Sequence, residues 1–296
     1  MPIDIQLKPV EQLLFRGEIV AVGRFRCDAT HPLFRDSGPC SHHTFVFPRT
    51  ITRIHHLGGP SFVGEPGRVA FYNQHQLYTR TKINDVDASD WFTIADDVLL
   101  EMIREHDPAA SPRQPFRIAE GVSDAQSFLE QRRLFDALDG VVRASGAPQR
   151  RAGGAYHFDA LTIEESVLGL LRRVVRAAYD ARPRALRVSS RHADSVEHAR
   201  RIIAAHPAEN VSLRSLARAC GQSPFQLCRV FRARTGETIT RYRHGLRLSL
   251  ALERLRDSSI DLSELALELG YSSHSHFTFA FRRHFGITPR QFRASV

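Results

Sequence analysis

A single structural unit is written twice in the last third of this chain, and no other feature narrows its fold as much. Residues 211–221, VSLRSLARACG, match residues 260–270, IDLSELALELG, at an offset of 49. Val211 pairs with Ile260, Leu216 with Leu265, Ala217 with Ala266 and Gly221 with Gly270. Past the glycine the offset becomes 50, pairing Ser223 with Ser273, Leu227 with Phe277, Phe231 with Phe281, Arg232 with Arg282 and Gly236 with Gly286. Self-similarity of this kind marks one supersecondary unit used repeatedly. Each copy spells a short helix, a glycine turn and a second helix closed by another glycine. Ser212 and Asp261 stand as N-caps, and Glu264 follows Asp261 at capping-box spacing. Ser223-Pro224-Phe225-Gln226 supplies a cap, a proline at the first helical position and a box residue. Thr288-Pro289-Arg290-Gln291 repeats that device for a short last helix.

This is the pattern of a helix-turn-helix, whose second helix enters the DNA major groove while the first crosses the backbone. The second helices are predicted over 223–235 and 273–285. Between the copies, residues 238–256 read as a long helix packing through Ile239, Leu246, Leu250, Leu252 and Leu255. Such a helix sets both copies side by side, within reach of groove segments roughly 34 Å apart. Leu227, Val230 and Phe231 belong to the first core, leaving Phe225, Gln226, Cys228, Arg229 and Arg232 outward. Phe277, Ala280 and Phe281 belong to the second, leaving His274, Ser275, Thr278, Phe279 and Arg282. Arg229 suits bidentate contact with guanine, and Phe225, Thr278 and Phe279 suit thymine methyls. Gln226, Cys228, His274 and Ser275 complete the expected base-reading set. Arg232, Arg234, Arg241, Arg282, Arg283 and Arg290 are the expected phosphate contacts, which add affinity without sequence information.

Charge falls in the same place. The 296 residues carry a formal +9, and residues 200–296 alone hold 16 arginines against 7 acidic residues. Residues 1–199 are neutral overall. Lys8 and Lys82 are the only lysines, so the basic surface is built of guanidinium groups, which suit bidentate contacts. The excess points to a polyanion partner, double-stranded DNA first; a basic architectural protein without sequence preference is the alternative. No run approaches the roughly 18 apolar residues of a membrane span. The start, MPIDIQLKPVEQ, has neither the basic nor the apolar region of a secretory signal. Cys27, Cys40, Cys220 and Cys228 form no CxxC pair and no disulfide framework. A cytoplasmic protein is expected.

The first half reads differently. Short apolar or alternating runs at 13–25, 43–47, 51–57, 61–63, 68–72 and 77–83 are broken by turns at 37–39, 58–60 and 65–67. Many short strands between Gly and Pro turns predict an antiparallel sandwich or small barrel, a shape that can hold one small ligand. His42, His43, His55, His56 and His75 lie in this region, with Glu65. Adjacent strand residues face opposite ways and no H-x-H spacing occurs, so pocket or surface histidines are expected rather than a metal site. A metal-dependent enzyme would rest on these histidines alone; no catalytic residue, cofactor or metal is expected. Two helices follow. Residues 123–139 open on Ser123 with Gln126 as box partner, and 162–180 open on Thr162 with Glu165. In the second, Val167, Leu170, Leu171, Val174, Val175 and Ala178 form one apolar stripe. It packs either on its own domain or on a partner subunit. Residues 181–190 have no apolar period and a central proline, as a linker would.

Residues 191–296 resemble the DNA-binding domain of AraC/XylS-type bacterial transcription regulators. The likeness lies in LSELALELGYSSHSHFTFAFRRHFGITPRQFR at 262–293 and LRSLARACGQSPFQLCRVFRARTG at 213–236. It implies two helix-turn-helix units on one linking helix, sequence-specific promoter binding, and activation through RNA polymerase. The family's base-reading positions fall on Phe225, Cys228, Arg229, Ser275 and Phe279. Position 279 is commonly Arg in that family and 228 often polar or basic, so Phe and Cys here imply less hydrogen-bond readout by the second unit. VFPRT at 46–50 and FYNQHQLYTR at 71–80 resemble the cupin-like sensor half of many members. That resemblance implies a small-molecule effector and a dimerisation helix, for which the 167–178 stripe is the candidate in a homodimer. The expected fold is therefore α+β in two domains. Residues 1–180 form a cupin-like β-barrel or sandwich with helices, 181–190 a linker, and 191–296 an all-α domain with two helix-turn-helix units joined by a long helix.

Overall fold

The run at 13–25 is two strands rather than one. It breaks at Gly17, whose N–H donates to the Val20 carbonyl at 2.8 Å, giving β1 (Glu11–Arg16) and β2 (Val20–Asp28). The computed structural model describes residues 3–35, 38–83, 85–145, 160–180, 190–257 and 259–295. The remaining runs form β3 (Thr44–Pro48), β4 (Thr52–His56), β5 (Ser61–Gly64), β6 (Arg68–Tyr72) and β7 (Tyr78–Lys82). Two further strands, β8 (Val86–Ile94) and β9 (Glu120–Val122), carry no clear sequence signal. β8 is nonetheless central, paired with β2 on one side and β3 on the other. Its Asp87, Ser89 and Asp90 hide the alternation, yet all three are buried. Asp87 accepts from Thr52 Oγ1 at 3.0 Å, and Asp90 accepts from Gln131 Nε2 at 2.8 Å.

The strands make a six-stranded sheet, β1-β2-β8-β3-β6-β9, and a three-stranded sheet, β5-β4-β7. Among the described residues the two stay separate, so the expected barrel is not closed. Alternation divides the large sheet cleanly, as the pleat requires. Val20, Val22, Phe45, Phe47, Phe71 and Phe92 face α1 (Asp96–Arg104), α2 (Ala125–Ser145) and α3 (Ala160–Asp180). Ala21, Phe25, Cys27 and Trp91 face the other way, toward the small sheet. There a cavity of about 80 Å³ remains, walled in part by Phe25, Ile54, Tyr72, Tyr78 and Trp91.

The α3 stripe goes to its own domain. Val167, Leu170, Leu171, Val174, Val175 and Ala178 are all buried in the core shared with the large sheet. A partner subunit therefore cannot use this face without opening that core, and the dimerisation assignment of these six side chains is corrected. Two caps also move. Asp124, not Ser123, accepts the Gln126 and Ser127 N–H groups at 3.0 and 3.1 Å. Thr162 lies inside α3, which opens at Ala160, so it does not cap that helix. His43 donates from Nε2 to Pro112 O at 3.1 Å and accepts the Gln74 N–H at Nδ1. His56 packs on Tyr72, and burial pulls it down to about 4. No three His, Cys, Asp or Glu side chains gather as metal ligands among the described residues.

The linker expected at 181–190 lies outside the described residues up to Ser190, where α4 (Ser190–Ala205) opens. Six helices follow: α5 (Leu213–Ala219), α6 (Pro224–Thr235), α7 (Ile239–Arg254), α8 (Leu262–Glu268), α9 (His274–Phe285) and α10 (Pro289–Ala294). No helix among the described residues is long and apolar enough to cross a membrane. The two domains meet through buried charge. Arg200 of α4 donates to Val63 O at 2.8 Å, Glu65 at 3.1 Å and Glu120 at 2.7 Å, all in the sheet domain. Tyr242 of α7 donates to the other oxygen of Glu65. Further along α7, Glu253 accepts from Arg49 at 3.0 Å and pairs with Arg132 at 3.2 Å, while Arg132 also holds Asp90. Phe128 and Leu129 of α2 complete the core beneath α8 and α9.

Candidate nucleic-acid interface

Each helix of the doubled unit starts and stops where its sequence says. Ser212 Oγ accepts the Ser215 N–H at 3.1 Å, and Ser223 Oγ accepts the Gln226 N–H at 3.2 Å. Asp261 accepts from Ser263 and Glu264 N–H at 2.8 and 2.9 Å, and these bonds hold its carboxyl below the usual range. Ser273 caps α9, and Thr288 forms a full capping box with Gln291 on α10. Gly236 and Gly286 end α6 and α9 at φ of +80° and +77°, the left-handed conformation glycine adopts without a Cβ penalty. These stops give α6 and α9 the same length and the same buried rows. Leu227 and Phe231 in α6, and Phe277 and Phe281 in α9, are fully buried.

The opposite faces are open. Phe225 and Phe279 are 78% and 66% exposed, large apolar groups on helices whose other aromatics are inside. Cys228, Arg229, His274 and Ser275 are exposed beside them, and Thr278 is half-buried, 3.4 Å from His274 Nε2. Gln226 has a second partner: it is half-buried and meets His192 of α4 at 3.2 Å. Arg232, Arg234, Arg241, Arg282, Arg283 and Arg290 are all exposed. The result is a surface of guanidinium groups around two helix faces carrying aromatic, thiol and hydroxyl side chains.

What fixes the two units together is a residue with no sequence signal of its own. Arg247 of α7 is 2% exposed. Its guanidinium donates to Pro207 O at 2.5 Å, Ala208 O at 2.8 Å, Asn210 Oδ1 at 3.1 Å and Glu209 O at 3.2 Å, in the loop entering the first unit. It also reaches Gly270 O, at 3.4 Å, in the turn of the second. Burial and neighbouring Arg243 lower its pKa, so its charge is balanced by carbonyl dipoles. Gly270 sits at φ +78°, and a Cβ there would lie 2.2 Å from Ala208 O. On helical periodicity Arg247 reads as one more basic residue; only the crossing of the 207–210 loop reveals it.

A family model described as a helix-turn-helix domain matches residues 216–295. The probable transcription factor PqrA of Proteus vulgaris is 33% identical over 85 residues, covering 29% of this chain and 70% of that protein. The chain belongs to the AraC/XylS family of transcription regulators. It is accordingly a sequence-specific DNA-binding regulator and not an enzyme. The transcriptional activator RhaS of Escherichia fergusonii is 38% identical over 88 residues, 30% of this chain and 32% of that protein. A solved AraC-type DNA-binding regulator from Chromobacterium violaceum is 32% identical, over 36% of this chain and 95% of that one, with a TM-score of 0.34.

Proposed function

We propose that the regulator sets α6 and α9 into successive major-groove segments of promoter DNA and activates transcription with RNA polymerase under control of a small effector. Phe225, Cys228 and Arg229 read one segment, with Gln226 positioned by His192. His274, Ser275, Thr278 and Phe279 read the next, and the six exposed arginines hold phosphates. The observation that carries this reading is the pair of equally capped helices whose outward faces leave Phe225, Arg229 and Phe279 exposed. DNase footprinting of the region upstream of its own gene tests it. Two adjacent protected major-groove segments are expected; uniform, sequence-independent protection refutes it.

The effector is placed in the cavity of a cupin-like domain spanning residues 1–180. Gly64 lines that cavity, and the next residue, Glu65, is the group that Arg200 and Tyr242 hold across the domain junction. A ligand that shifts β5 thus acts on α4 and α7 through one peptide unit. Tyr242→Phe removes the hydroxyl donor to Glu65 while keeping the ring in place. It is expected to change DNA affinity in the absence of any added ligand; an unchanged binding curve rules out this route.

A further inference from the structure

We propose that the acidic cluster buried between the two domains takes up a proton when the regulator binds DNA, so that DNA affinity rises as pH falls. This rests on reading Arg234 and Arg241 as phosphate contacts. The sheet domain supplies Glu65, Arg68 and Glu120 to the cluster. The helical domain supplies Glu197 and Arg200 of α4, Tyr242 of α7, and Glu237 from the turn joining α6 to α7. Arg200 pairs with Glu120 at 2.7 Å, Glu65 at 3.1 Å and Glu197 at 3.3 Å. Arg68 pairs with Glu65 at 3.0 Å, Glu237 at 3.6 Å and Glu120 at 3.9 Å. Tyr242 adds a hydroxyl donated to Glu65, which carries no charge. Four carboxylates therefore share two buried guanidinium groups, and desolvation makes such an imbalance costly.

Further positive charge stands at the rim. Arg234, in the last turn of α6, attracts the Glu120 carboxylate, and Arg241, in the first turn of α7, attracts that of Glu237. Both arginines are exposed, and Glu237 lies between them in the chain. A phosphate on either one cancels its charge as felt by the cluster. The carboxylates beneath then hold a proton more tightly. Two of them already favour one. Burial pushes Glu197 up to about 7, against the pull of Arg200 and Arg68 and with Glu120 and Glu65 adding to the rise. Burial also raises Glu237, with Glu65 in the same direction and Arg68, Arg241 and Arg200 opposing. The sign follows from linkage: bound DNA raises the proton affinity of the cluster, so protons raise the affinity for DNA.

The test is fluorescence anisotropy of a labelled duplex carrying the footprinted site, titrated with full-length protein from about pH 8 to about pH 6 at constant ionic strength. Wild type is compared with Glu197→Gln/Glu237→Gln, whose amides mimic the protonated carboxyls. His274 and the other exposed histidines of the reading surface are common to both proteins, so the comparison cancels them. The variant is expected to bind more tightly than wild type at the upper pH, and the gap to narrow by about threefold or more at the lower one. Parallel curves overturn the proton coupling. Glu237→Gln alone, at the 22% exposed rim of the cluster, carries the same comparison if the double variant does not fold. Arg234→Ala and Arg241→Ala separate the two claims. If neither lowers affinity, the phosphate reading fails; if affinity falls while the pH curves stay parallel, the proton coupling alone fails.

Discussion

Arg247→Met tests how the two DNA-reading units are held together. The methionine keeps length and apolar stem but removes every donor to Pro207, Ala208, Glu209, Asn210 and Gly270. A hydrogen bond from a charged donor contributes about 1.5–3 kcal/mol, and orphaned buried acceptors add their own desolvation cost. Against this, the buried guanidinium is held by carbonyl and amide oxygens and itself loses hydration, which offsets part of the sum. The expected net loss is about 3–4 kcal/mol. Lysine restores the charge but has a single nitrogen for acceptors spread over two loops, so Arg247→Lys is expected to recover less than half of it. Urea unfolding followed by far-ultraviolet circular dichroism reads the helical domain, while Trp91 emission reads the sheet domain. An Arg247→Met variant within about 0.5 kcal/mol of wild type would refute the claim that this side chain ties the units.

Three more outcomes follow from particular residues. Gly270→Ala is expected to destabilise the chain by about 2 kcal/mol more than Gly236→Ala in the same urea experiment. Both sit at positive φ, but only the first places its methyl against a carbonyl, and equal costs would contradict the close approach to Ala208. Burial pushes Glu197 up to about 7, with Arg200 pulling the other way and Glu120 and Glu65 adding to the rise. The folded chain thus binds a proton that the unfolded chain releases near 4.5, so this stabilisation is full below about pH 4.5 and lost as pH rises through about 7. Glu197→Gln should flatten the pH dependence of the melting temperature across that window, and an unaltered slope would assign it elsewhere. Arg229→Ala is expected to cost about 1–3 kcal/mol of DNA affinity and relax specificity at one base pair, whereas Arg234→Ala weakens all sequences alike. Binding to a panel of single-base variants separates the two.

The helical third was legible because its signals are local. Caps at Ser212, Ser223, Asp261, Ser273 and Thr288 and glycines at 236 and 286 fix each boundary within a few residues of chain. The sheet domain was legible only where strands alternate. β8 escaped because Asp87 and Asp90 look like turn residues until Arg80 of β7 and the sequence-distant Arg132 of α2 are seen to neutralise them. The α3 stripe was visible, but periodicity states that a face is covered and not by what; here it is covered by the large sheet. Gln226 and Arg247 show the same limit on the DNA-binding side. Each looks like a surface residue of its own helix, and each is claimed by a segment that only the tertiary fold brings near.

In the proposed mode of binding, one chain reads two DNA segments at a spacing fixed by α7 and Arg247. Duplexes selected from a random pool by the full-length protein supply its site, and insertions of 5 and 10 base pairs between the two recognised elements then test the spacing. Rigid coupling predicts that both insertions reduce affinity to that of a single element, because neither unit can follow its element along the duplex. Recovery of full affinity with the 10-base-pair insertion would mean that the units move independently, and the account of how this regulator reads DNA would be wrong.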